Sequence, residues 1–94
     1  MTKLNVFSIR DEALKAFNNP VYMPTIDTAR RSFGDAVVKD ENFRNHPNDY
    51  SLFHLGTYDD ETARFEQFDI PVRIAVASDY VKPIMEKPAN DQKS

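Results

Sequence analysis

The chain predicts an α+β domain: a four-stranded, mainly antiparallel sheet in two hairpins, with one amphipathic helix packed on a face. The expected order is ββαββα. Three observations lead there. Ile26, Ala29, Phe33, Ala36 and Val37 recur at the spacing of one helical face. Runs rich in β-branched and aromatic residues lie on either side of that helix, each interrupted by an acidic turn. The 94 residues suit a single compact domain, expected over 1–81, followed by a polar tail over 82–94.

Lys3–Arg10 (KLNVFSIR) is the first predicted strand, although Leu4 and Val6 share one parity while Phe7 and Ile9 share the other. Either a bulge intervenes or both faces are covered. Asp11-Glu12 turns the chain, and Ala13–Phe17 returns as the second strand. Asn18-Asn19-Pro20 breaks it. Val21–Met23 is a short extended piece that Pro20 and Pro24 confine to an edge or a connection.

The helix runs from Ile26 to Lys39, with Thr25 as N-cap and Asp27 placing negative charge in the first turn. Its outer face offers Asp27–Arg31 and Arg31–Asp35 at i,i+4 spacing. Gly34 inside it costs about 1 kcal/mol relative to Ala, which a close approach by another backbone would explain. Asp40–Asp49 is polar and irregular, with Phe43 its only large apolar anchor.

Tyr50–Thr57 and Ala63–Phe68 form the second predicted hairpin. Pro71–Val81 fits a helix, with Asp69 near the N-cap, Pro71 in the first turn and Val72, Ala75, Val76 and Tyr80 on one face. As a strand it places Val72, Ile74, Val76 and Tyr80 on one parity. The helix is preferred.

Composition narrows the chemistry. The chain has no Cys, which excludes a disulfide framework, a zinc ribbon and a thiol nucleophile. No apolar run nears the ~18 residues of a membrane span, so a soluble protein of the cytoplasm is expected. Counting AVILMFWC and Gly gives 36 of 94 residues, below the usual ~45–50%. The seven Phe and four Tyr offset part of that shortfall, and association with a second copy would offset more.

Catalysis finds little support: there is no Gly-rich phosphate loop and no nucleophile elbow, and no cofactor is implied. His46 and His54 are too few for a transition-metal site. Asp59-Asp60-Glu61 lacks calcium-loop spacing and is better explained as a hairpin turn.

Charge is unevenly spread. Residues 1–33 carry five basic and three acidic groups, whereas residues 34–70 carry three basic and nine acidic. The net charge of -3 argues against a nucleic-acid coat but leaves room for local contact. Arg10, Lys15, Arg30 and Arg31, with Phe7 and Phe17 nearby, are the candidate DNA-binding residues, cations for phosphate and rings for bases. Their bland alternative is ion pairing along the helix and rings in the core.

The stretch His46-Pro47-Asn48-Asp49-Tyr50-Ser51-Leu52-Phe53-His54-Leu55-Gly56-Thr57-Tyr58-Asp59-Asp60 resembles an HP-x-DY-x-LF-x-LG-x-[FY]-DD pattern. That pattern belongs to the small nonstructural protein of gokushoviruses, single-stranded DNA phages of the microvirus family. Lys3–Ile9, Met23-Pro24-Thr25 and Phe65-Glu66-Gln67-Phe68-Asp69 are similar to that family too, and the resemblance spans residues 1 to about 81. It implies a nonstructural accessory role in viral DNA synthesis or packaging, in the host cytoplasm, and brings no catalytic residues with it.

The expected function is therefore a non-enzymatic accessory factor that contacts single-stranded DNA or phage replication and packaging proteins. The alternative is a homo-oligomeric protein–protein module whose acidic face docks on a phage or host partner. The two-sided apolar pattern of Leu4/Val6 and Phe7/Ile9 motivates that second reading.

Overall fold

A computed structural model describes residues 3–81. The fold is α+β, with one antiparallel sheet of five strands. The chain runs through β1 (Lys3–Asp11), β2 (Ala16–Phe17), β3 (Val21–Met23), α1 (Ile26–Lys39), α2 (Glu41–Asn45), a 3-10 turn (Pro47–Asp49), β4 (Tyr50–Asp59) and β5 (Arg64–Val76). The lateral order is β2-β1-β4-β5, with β3 also paired to β1. β2 pairs with Arg10 and Asp11, and β3 pairs with Asn5, Val6 and Phe7. The two short strands therefore share one edge of β1, interrupted at Asn18-Asn19-Pro20.

This order departs from ββαββα in three ways. The return strand is confined to Ala16–Phe17 because residues 12–15 form the turn. Val21–Met23 is a true edge strand. The predicted terminal helix over Pro71–Val81 is overturned for its first half: β5 continues to Val76, and helix begins only at residue 78. Pro71 and Asp69 look like helix-start residues, yet they sit in an irregular stretch of an outer strand. Gln67 pairs with Gly56 and Val72 with His54, so Phe68, Asp69, Ile70 and Pro71 stand opposite the single Leu55. Proline costs nothing where no ladder bond is due. The polar tail over 82–94 lies outside the described residues.

Both hairpins turn by the same device. Asp11 Oδ1 accepts from the Ala13 amide at 2.9 Å, and Asp59 Oδ1 accepts from the Glu61 amide at 2.9 Å. Four residues on, Lys15 and Ala63 take positive φ of 55° and 61° to return the chain. Each Asp side chain thus replaces a backbone turn contact, and the acidic run at 59–61 serves as a turn.

α1 forms where its cap and apolar stripe place it. Thr25 Oγ1 accepts from the Thr28 amide at 3.0 Å. Ala29, Phe33 and Val37 are buried against Phe7, Leu52, Ala75, Ala77 and Val81. Burying a large apolar side chain such as Phe33 or Val37 stabilises by ~1.5–3 kcal/mol. Gly34 does face a close approach, but of a side chain: the Tyr80 ring lies where a Cβ would stand 2.9 Å from Cε1. The expected i,i+4 pairs of Arg31 are absent among the described residues; Arg30 takes Asp27 instead, at 3.3 Å.

Asp40–Asp49 is not wholly irregular. Asp40 caps α2 through a 2.8 Å bond from the Asn42 amide, and Phe43 packs on Phe33 and Tyr50. Among the described residues, no helix is long and apolar enough to cross a membrane.

Candidate functional site

Alternation along β1 sorts the side chains to two sides of the sheet. Phe7 and Ile9 point toward α1. Leu4, Val6, Ser8 and Arg10 point the other way, and directly paired residues follow them. Tyr58 pairs with Leu4 and Phe65, Tyr22 with Val6, Phe53 with Ser8 and Arg73, and Phe17 with Arg10. The second face therefore carries Phe17, Tyr22, Phe53, Tyr58 and Phe65.

No described element packs on this face. Tyr80 and Val81 join the α1 side instead, Tyr80 against Phe33 and Val81 in the core. The floor is nonetheless dry, with Val6 7% and Ser8 2% exposed, and the Ser8 hydroxyl donates to the Asn18 carbonyl at 2.6 Å. Phe65 keeps 60%, Tyr22 44% and Phe17 41% of their surface in solvent.

The rings form two clusters. At the hairpin end, Tyr58 and Phe65 lie 4.7 Å apart, Tyr22 and Tyr58 5.6 Å, and Tyr22 and Phe65 6.4 Å. Beside them a groove of about 280 Å³ opens, bordered by Val6, Tyr22, Leu55, Phe65, Glu66 and Gln67 among others. At the other end, Phe17 meets Phe53 edge to face at 5.3 Å, and the Arg10 guanidinium lies 5.2 Å from the Phe17 ring centre. Such an arrangement holds a cation over a ring.

Charge follows the same division. Arg10 and Arg73 are the ionised residues at paired positions of the open face. Asp11, Asp59 and Glu66, the carboxylates at paired positions, all fall on the α1 side. Arg10 Nε donates to Glu12 in the adjoining turn at 2.9 Å. Arg73 has no carboxylate partner among the described residues.

The candidate cations named from the sequence do not form one site. Arg10 lies on the open face, and Lys15 in the turn beside β2. Arg30 and Arg31 are exposed on α1, which covers the opposite side of the sheet. Phe7, expected near them, is fully buried in the core. Sequence reasoning missed Arg73, Tyr22, Phe53, Tyr58 and Phe65. The signal was available in the parity of Leu4, Val6, Ser8 and Arg10, but using it required the strand register.

The histidines are structural. His46 ends α2, its amide donating to Asn42 at 3.0 Å. His54 is buried between Phe7, stacked at 4.9 Å, and the edge of Phe68 at 4.8 Å. Its Nε2 has no hydrogen-bond partner. Burial holds its pKa below the usual imidazole value, and the Gly56 backbone opposes that shift. Tyr50 moves upward, through burial first and then the carboxylates of Asp11, Asp49 and Asp40. Among the described residues no cluster of three or more His, Cys, Asp or Glu stands ready for a metal ion.

Comparison with known proteins yields one relationship. The family model described as Phage ORF5 protein matches residues 4–80, and the chain belongs to that family. No curated protein and no solved structure matches the chain.

Proposed function

We propose that this member of the Phage ORF5 protein family is a non-enzymatic accessory protein that binds single-stranded DNA on the open face of its sheet. It would act while the genome of a gokushovirus-like phage is made or packaged, in the host cytoplasm. One observation carries the reading: the helix-free face joins five aromatic side chains to Arg10 and Arg73 with no carboxylate at a paired position. Single strands are held by that combination, with rings stacking on bases and cations on phosphates. Of the carboxylates in the middle segment, Asp59 falls by register on the other side of the sheet, and Glu66, which borders the groove, has its carboxylate engaged by Lys3 and Thr57.

Fluorescence anisotropy with a labelled single-stranded oligonucleotide tests the reading at about 50 mM and about 200 mM salt. The expected result is saturable binding that weakens with salt. Absence of binding at the lower salt rejects it.

The second reading is a homo-oligomer that buries the same face. The exposed rings there favour it, and the sheet edges do not offer an easier route. Pro71 interrupts the outer strand, while Pro20 and Pro24 flank the other edge, and such prolines discourage edge-to-edge pairing. Light scattering with and without oligonucleotide separates the two, since a dimer through this face dissociates as DNA binds. An acidic docking face has less behind it, because Asp59 is engaged in the hairpin turn.

A further inference from the structure

We infer that the groove between Tyr22 and Phe65 is a nucleobase pocket that receives one unstacked base of a bound single strand. This inference rests on the DNA-binding reading above and names the chemistry of its tightest contact.

The groove is built for a flat, partly polar guest. Tyr22 and Phe65 line it with rings and Val6 and Leu55 with aliphatic groups, while Glu66 borders it with its carboxylate engaged by Lys3 and Thr57. The Leu55 bulge opens it: Val6 pairs with Gly56 but Phe7 with His54, which leaves Leu55 as the extra residue in β4. Gly56 then contributes no side chain to the floor, and a Cβ there would collide with β5. Gln67 borders the groove, and its exposed carboxamide makes no hydrogen bond among the described residues. It therefore presents one acceptor and two donors to whatever enters, the pattern that a base edge requires.

Charge complementarity selects the occupant. Arg10 lies four residues along β1 from Val6, about 13 Å at the strand rise of ~3.3 Å per residue. A chain that is both aromatic and anionic can place a base in the groove while its phosphates run toward Arg10 and Arg73. A second copy of this protein would bring no phosphates to those cations. The exposed ring faces also supply sequence-tolerant stacking, since every base has a π-face.

The test compares oligothymidylate with an abasic strand of the same length, bound by wild type, Phe65→Ala and Gln67→Ala. Phe65 is 60% exposed and lies outside the buried core, so the variant retains the fold, which its circular dichroism and thermal midpoint verify. Wild type should prefer bases to the abasic strand by about tenfold or more, tenfold being the effect of one stacked base. Phe65→Ala should lose about tenfold of that preference while binding the abasic strand as before. Gln67→Ala should reduce the preference in part.

Equal wild-type affinity for both strands, or a preference that Phe65→Ala leaves intact, overturns the pocket but keeps DNA binding. Failure to bind either strand overturns both. A wild-type dimer that Phe65→Ala converts to monomer, with no binding to either strand, assigns the groove to a second copy.

Discussion

Gly56 on β4 passes so close to Glu66 on β5 that any side chain at position 56 would collide with the Glu66 carbonyl oxygen. The same Cβ would stand 2.9 Å from the Gln67 α-carbon. Both obstacles are backbone, so neither can swing aside. This close approach pins the hairpin where Leu55 is extruded and where the groove of the open face begins.

Gly56→Ala should therefore destabilise the protein by about 2 kcal/mol or more, as strain at a constrained backbone position does. A urea midpoint well below wild type is expected. A change within about 0.5 kcal/mol, typical of ordinary surface sites, would contradict the close approach.

Gly34 makes the opposite kind of contact, with a ring that can be removed. In the wild-type background, Gly34→Ala should destabilise, because its Cβ meets Tyr80 Cε1 at 2.9 Å and that ring is packed on Phe33. With Tyr80→Ala already present, the same change should stabilise by about 1 kcal/mol, the helix-propensity gain alone. A thermodynamic cycle without that reversal of sign would mean that Tyr80 does not rest on α1.

Ala63 turns the second hairpin at φ 61°. A left-handed conformation costs an L-residue ~1–2 kcal/mol, whereas the chain entropy that Gly loses on folding is ~0.5–1 kcal/mol. Ala63→Gly should thus raise stability by about 0.5–1 kcal/mol. Thermal unfolding reads this directly, and a lower midpoint would show that the turn takes another form.

His54 gives the fold a dependence on pH. Its pKa is lowered in the folded chain, chiefly by burial, so folding favours the neutral ring. The stability it contributes is whole above the unfolded value of about 6.5 and is lost as pH falls below it. His54→Phe keeps a ring against Phe7 and Phe68 but cannot titrate. Between about pH 7.5 and 5.5, wild type should lose more of its urea midpoint than His54→Phe does. Equal losses would place the titration elsewhere.

Much of the fold was legible in the sequence. Thr25 and the Ile26–Val37 stripe define α1 through local rules alone. The mixed parity of Leu4/Val6 and Phe7/Ile9 left open a bulge or two apolar faces; β1 alternates and sends the two pairs to opposite faces, while the extra residue at the register shift is Leu55 of β4. Pro71–Val76 resisted because short apolar runs fit both periods, and Asp69 and Pro71 serve an irregular strand as readily as a helix start. The site was less legible. Arg30 and Arg31 are adjacent in sequence to a good helix stripe, but only the pairing of β1 with β4 and β5 separates them from Arg10 and unites Arg10 with Arg73.

That separation allows a sharp test of whether DNA lies on the helix-free face. The quantity to measure is the salt dependence of oligonucleotide affinity for wild type, Arg10→Ala/Arg73→Ala and Arg30→Ala/Arg31→Ala. Removing Arg10 and Arg73 should weaken binding and reduce the salt slope by about 0.7 for each phosphate no longer neutralised, while removing Arg30 and Arg31 should leave both nearly unchanged. The reverse outcome, with the slope following Arg30 and Arg31, would move the DNA to the helix side and refute binding on the open face.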